Sequence, residues 1–141
     1  MQTGISIYPG LDNSPEENLA LIETAAKNGI QRLFTSFHIP ETDTAAFKEE
    51  IGQLLHAARK AGMEIISDVS PNTLALLGME KFSLSAFQFL GIHTLRLDWG
   101  FGPEEIAALS RNPQHIRIQL NASTITARQL HALMDAKADF N

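Results

Sequence analysis

Three times in this chain a helical stretch ends in a glycine and a short β-type run begins at once: KNGIQRLF, KAGMEII and FLGIHTLRL. A glycine just past a helix supplies the left-handed conformation that closes it. A strand that starts on the next residue leaves no room for a wandering loop. Repetition of helix, glycine and strand is the pattern of consecutive βα units, and hence of a parallel sheet covered by helices.

The rest of the sequence fills in that frame. GISIY (4–8) reads as the first strand, and SPEE opens the first helix with Ser14 as N-cap, Pro15 at the first helical position and Glu17 completing a capping box. Leu19, Ile22, Ala25 and Ala26 form its apolar stripe, and IQRLFTS (30–36) follows as strand two. The second helix, from TDTAAF to RKAG, presents Phe47, Ile51, Leu54, Leu55 and Ala58 on one face before strand three, MEIISD (63–68). Ser70 and Pro71 repeat the cap-then-proline signal. A further short helix, SLSAFQFLG, leads to strand four, HTLRLD (93–98); helix GPEEIAALSRN leads to strand five, HIRIQLN (115–121). TARQLHALMDAKA is the last helix, and ADFN begins what reads as a sixth strand.

Units of about 25 to 30 residues suit either a (β/α)8 barrel or a doubly wound sheet. The turn after strand one, YPGLDNSPEE, lacks the G-x-G-x-x-G of a dinucleotide-binding sheet. The expected fold is therefore α/β, a TIM-type barrel represented by its first five βα units in one domain.

Alternation along each strand separates helix-facing from barrel-facing residues. The barrel-facing set is Ser6 and Tyr8; Phe34, Ser36 and His38; Ile66 and Asp68; Thr94, Arg96 and Asp98; Arg117, Gln119 and Asn121. A barrel interior that only packs is rich in Val, Ile and Leu. Here the last inward position of every strand is polar: Tyr8, His38, Asp68, Asp98 and Asn121. In this fold those positions surround the catalytic mouth. Each has a plainer use. Asp68 and Asp98 suit helix caps or partners for Arg96, Arg96 suits neutralisation of a carboxylate, and Asn121 suits a turn. Agreement among five strands favours the site.

Composition narrows the chemistry. Sixteen acidic against eleven basic residues give a net charge of −5, which disfavours a nucleic-acid surface. The absence of cysteine excludes disulfides, a thiolate nucleophile and thiolate metal ligands. No single element carries metal-ligand spacing, although a barrel mouth could assemble a site from several strands, and no cofactor motif is present; neither a metal nor a cofactor is expected. Neither a signal peptide nor an apolar run of membrane length is visible, so the expectation is a cytoplasmic protein without membrane partners.

GISIYPG, RLFTSFHIPE, GMEIISDVSP, LGIHTLRLDWGF and IQLNAST together resemble, in order and across the whole chain, the N-terminal barrel of the 6-phospho-N-acetylmuramidase family. The resemblance implies a bacterial cytoplasmic glycoside hydrolase. Its substrate would be the disaccharide of N-acetylmuramic acid 6-phosphate and N-acetylglucosamine, cleaved in cell-wall recycling. It also implies three further strands and a smaller cyclophilin-like C-terminal domain beyond the five units seen here. Open barrel edges would then invite self-association.

Glycoside hydrolysis uses two carboxyl groups flanking the scissile bond. Asp68 and Asp98, ending adjacent strands and so expected side by side with Cα atoms about 5 Å apart, are the candidates. Tyr8, Ser36, His38, Arg96 and Asn121 are candidates for holding the sugar or its acidic groups. Phosphate is expected elsewhere, in the loops after strands seven and eight. The rival functions are another sugar-phosphate barrel enzyme, an aldolase or epimerase, and a non-catalytic half-barrel assembly module.

Overall fold

The computed structural model describes residues 2–11, 13–37, 44–77, 83–121 and 123–135. Along them run β1 (Gly4–Ser6), α1 (Pro15–Lys27), β2 (Arg32–Ser36), α2 (Thr44–Lys60), β3 (Glu64–Val69) and α3 (Pro71–Leu77). They continue with α4 (Leu84–Phe89), β4 (Thr94–Leu97), α5 (Pro103–Ser110), β5 (Arg117–Leu120) and α6 (Ala127–Asp135). The sixth strand expected at ADFN lies outside the described residues.

All neighbouring strands are parallel, in the order β1-β2-β3-β4-β5. A doubly wound sheet reverses its strand order at a switch point. This one advances without reversal, and right-handed crossovers then place every connecting helix on the same side. The result is the wall of a (β/α) barrel, as the sequence led us to expect.

The three glycine joints share one geometry. Gly29, Gly62 and Gly91 have φ of 75°, 72° and 79°. At each, the glycine N–H donates three residues back, to Ala26, Arg59 and Gln88, and the next N–H reaches five back. Those longer bonds, Ile30 to Ala25, Met63 to Ala58 and Ile92 to Phe87, are all 3.0 Å. This is the Schellman closure. It also explains why β2 and β3 begin later than expected: the first apolar residue closes the helix instead of pairing in the sheet.

The joint before β5 has no glycine. Asn112 replaces it by donating to Leu109 and Ile116 carbonyls at 2.9 Å and accepting the Ile116 N–H at 3.0 Å. His115 there takes φ 56°, so β5 starts at Arg117 and not at His115.

Helix starts follow the expected chemistry with one exception. The Ser14 hydroxyl accepts the Glu17 N–H at 3.2 Å, and the Glu17 carboxylate accepts the Ser14 N–H at 2.8 Å. At α3 the roles are exchanged: the Ser70 N–H donates to the Thr73 hydroxyl at 3.0 Å, while the Ser70 hydroxyl stays buried without a partner among the described residues.

Between sheet and helices lies the core. Leu33, Phe37, Ile65, Val69, Leu95, Leu97 and Ile118 meet Ile22, Leu54, Leu55, Phe87, Ile106 and Leu133. Phe37 and Phe87 pack edge to face with centroids 5.8 Å apart. Polar residues enter the core too: Thr35 and Ser67 are buried on the helix-facing side of β2 and β3, and buried Asn18 of α1 donates to Glu50 of α2 at 3.0 Å. Most apolar strand residues face the helices, and the opposite sheet face, which also holds Phe34 and Ile66, carries most of the polar ones.

Candidate active site

On that opposite face, strand register sorts the side chains into rows. The lowest row contains Arg32 opposite Glu64, with Arg32 Nε 2.6 Å from Glu64 Oε2. Arg117 reaches the other oxygen of Glu64 from one row higher. The base of this half-barrel is thus tied by an ion network rather than filled by aliphatic side chains. Above it Ser6, Phe34, Ile66, Thr94 and Arg117 are in register.

The next row is Ser36, Asp68, Arg96 and Gln119. Continuing the register of β1 one inward step past Ser6 brings Tyr8 to the same level. Asp98 and Asn121 form the uppermost row, their N–H groups donating to Val69 and Leu97 carbonyls at 2.9 and 3.0 Å.

This distribution corrects one expectation. Asp68 and Asp98 do not stand side by side: the neighbour of Asp68 on β4 is Arg96, and Asp98 lies two residues nearer the mouth. The cause is stagger. β3 extends through Val69 before α3 begins, while β4 enters the ladder only at Thr94, level with Ile66.

The two carboxylates consequently have different surroundings. Arg96 grips Asp68 with two parallel bonds, from Nε to Oδ1 and from Nη2 to Oδ2, the latter 2.7 Å long. The guanidinium also lies over the Phe34 ring, 4.7 Å from its centroid, and Phe34 meets Tyr8 edge to face at 6.1 Å. Asp98 instead accepts a hydrogen bond from the neutral amide of Asn121, Nδ2 to Oδ1, at 3.0 Å. Asn121 Oδ1 in turn accepts from the Ser123 hydroxyl at 2.8 Å, which fixes the orientation of the amide.

The hydrogen bonds to Asp68 raise the Arg96 pKa above its ordinary value. Partial burial opposes this, and the negative charges of Asp68 and Asp98 add to the rise. Arg96 is therefore a fixed cation between two carboxylates.

Of the other candidates, Ser36 is buried in the row of Asp68, and Tyr8 is 41% exposed. His38 lies outside the described residues. Phe34 was not singled out from sequence, although its place two residues before Ser36 put it on the same face. Its part in holding Arg96 depends on a cross-strand contact that no single strand reveals. Gln119, barrel-facing by alternation, lies level with Arg96.

Among the described residues no three His, Asp or Glu side chains converge as a metal site. No helix there is long and apolar enough to cross a membrane. A groove of about 770 Å³ between α1 and α2, lined by Leu19, Ile22, Ala26, Gln53 and His56 among others, lies away from the polar rows.

Comparison with solved structures brings relatives into view. A structure described as an uncharacterized B. cereus protein is 30% identical, with a TM-score of 0.71, over 98% of this chain and 35% of that one. A conserved Enterococcus faecalis protein, described as of unknown function, is 31% identical with a TM-score of 0.77, over 99% of this chain and 37% of that one. The chain thus spans little more than a third of either relative. The carboxyl transferase domain of Rhizobium etli pyruvate carboxylase, 13% identical, shares the fold alone, with a TM-score of 0.59 over 99% of this chain and 26% of that one. Curated protein sequences give no match. Residues 3–141 match the family model described as 6-phospho-N-acetylmuramidase, N-terminal, in agreement with the five sequence motifs, and the chain belongs to that family.

Proposed function

We propose that the protein is a glycoside hydrolase that cleaves N-acetylmuramic acid 6-phosphate from N-acetylglucosamine in cytoplasmic cell-wall recycling. The observation that carries this proposal is the family match over residues 3–141. Carboxylates gathered on the barrel-facing side of β3 and β4 support it.

The reaction adds water across one C–O bond. A carboxylic acid gives its proton to the oxygen of the departing sugar. A carboxylate on the other side either takes a proton from the attacking water or bonds to the anomeric carbon until water displaces it. Asp68 and Asp98 are the candidate carboxyl groups in the upper rows of β3 and β4, with Tyr8, Ser36, His38, Arg96 and Asn121 as candidates for holding the sugar. Asp68, Arg96 and Asp98 together carry one positive and two negative charges. That balance gives a phosphate no welcome, so the phosphate is assigned to residues outside these rows, in the loops after later strands. The greater length of both solved relatives supports further barrel strands and a C-terminal domain in the complete enzyme.

The test is incubation of the full chain with the phosphorylated disaccharide while release of N-acetylglucosamine is followed. The unphosphorylated disaccharide serves as control. Hydrolysis that requires the phosphate is expected; no release from either sugar would refute the proposal.

A further inference from the structure

We infer that the two carboxylates of this site have different tasks: Asp98 is the catalytic carboxylate, and Asp68 is a positioning residue that acts through Arg96. The inference rests on the glycosidase function proposed above and divides labour within that site.

Three observations lead to it. First, both oxygens of Asp68 are engaged by one guanidinium, through Nε and Nη2. A carboxylate that attacks carbon, or exchanges a proton with water or with a departing oxygen, needs an oxygen open to the substrate. Asp68 would have to break a bidentate, charge-assisted pair to provide one. Second, Asp68 is the deeper of the pair, with 15% of its side chain exposed against 36% for Arg96. Level with Asp68 in the same row, the guanidinium is the more accessible of the two. Third, Asp98 lies one row nearer the mouth and takes a single hydrogen bond from a neutral amide at Oδ1. Among the described residues nothing donates to its Oδ2.

Arg96 connects the two. Asp68 holds the edge of its guanidinium, Phe34 supports a face, and Asp98 acts on its charge. The pair uses Nε and Nη2, which leaves the Nη1 amino group outside it. Asp68 thus fixes a cation beside Asp98, and that cation keeps its place as charge develops during bond cleavage. The second carboxyl group of the reaction then comes from an element other than β3.

The experiment uses the full chain, the phosphorylated disaccharide and added formate, a carboxylate small enough to enter a space vacated by an aspartate side chain. Asp98→Ala should lower kcat by about 10³-fold, and formate should restore part of the loss. Asp68→Ala should cost about 10²-fold through a displaced Arg96. Asp68→Asn combined with Arg96→Met should be no slower than Arg96→Met alone, because both changes remove one coupled unit.

Should Asp68→Ala fail to fold, Asp68→Glu decides. It keeps a carboxylate for the guanidinium and should retain most of the rate, whereas lengthening a reacting carboxylate would abolish it. Failure of formate to restore any rate to Asp98→Ala, or full additivity of Asp68→Asn with Arg96→Met, would overturn the division of labour. An unmodified chain that never cleaves the disaccharide fails at an earlier step. That result would remove the proposed function, and this inference with it, before any variant is compared.

Discussion

Replacing Asp68 by Asn and, separately, Asp98 by Asn tests which carboxylate balances Arg96 without requiring any substrate. In the structure that partner is Asp68, through two parallel bonds. Breaking a fully buried pair costs about 3–5 kcal/mol, since the remaining ion is left unpaired. An exposed pair contributes only about 0–1 kcal/mol. Arg96 retains 36% of its side-chain exposure and Asp68 15%, so water recovers part of the loss. A cost of about 2 kcal/mol for Asp68→Asn lies between those limits.

Asp98→Asn should behave differently. Its amide oxygen still accepts from Asn121, and the Asp68 pair remains in place. The cost should stay below about 0.5 kcal/mol, the usual range for a substitution that breaks no network. For a chain of this length, 1 kcal/mol moves the midpoint by about 3–4 °C. Asp68→Asn should therefore melt about 7 °C early, and Asp98→Asn within about 2 °C of the parent. Thermal unfolding followed by circular dichroism at low salt measures both. If Asp98→Asn melts as early as Asp68→Asn, Arg96 is balanced by the upper carboxylate, and the surroundings assigned to the two groups are wrong.

Three further outcomes are expected. The Arg96 pKa is raised on folding, so its contribution is complete below the unfolded value and is lost only as pH rises through the higher folded one. The stability gap between the parent and Arg96→Met should then be flat from about pH 6 to about pH 10 in urea titrations, and a gap that closes within that window would contradict it. Phe87→Ala, which empties a fully buried site and removes the edge-to-face contact with Phe37, should cost about 3–5 kcal/mol by the same titration; a loss under 1 kcal/mol would mean that the core collapses around it. Among the described residues β1 and β5 each pair with one neighbour, so their edges should make the 141-residue chain associate as concentration rises; a concentration-independent monomer in sedimentation would count against this.

Much of the fold was legible because its signals are local. The Gly29, Gly62 and Gly91 joints, the Ser14–Glu17 capping box and the alternation in HTLRLD each depend on a few adjacent residues. Alternation fixed which side chains leave the helix-facing core. It therefore brought Ser36, Asp68, Arg96 and Asn121 to the correct face. The exceptions at strand starts have the same local character. Ile30, Met63 and Ile92 look like strand residues by composition, yet their N–H groups complete the preceding helix.

Register is another matter, and the candidate site depends on it. Alternation has a period of two and is a property of one strand; the height of a residue relative to its neighbour is a property of two. Sliding β4 two residues along β3 would leave every side chain on its present face and set Asp98, not Arg96, opposite Asp68. Nothing in MEIISD or HTLRLD distinguishes those arrangements. What does is the pair of joints on either side: the Gly91 closure delivers the chain so that the His93 N–H meets the Ile65 carbonyl at 3.0 Å, and Thr94 then falls opposite Ile66. The His93 ring adds a second tie, its Nδ1 accepting the Ile65 N–H at 3.1 Å. Nothing in the sequence marks that histidine for such a task. Its ring occupies an acceptor position in the ladder at the level where β4 begins, and so helps to set Arg96 beside Asp68 and Asp98 beyond both.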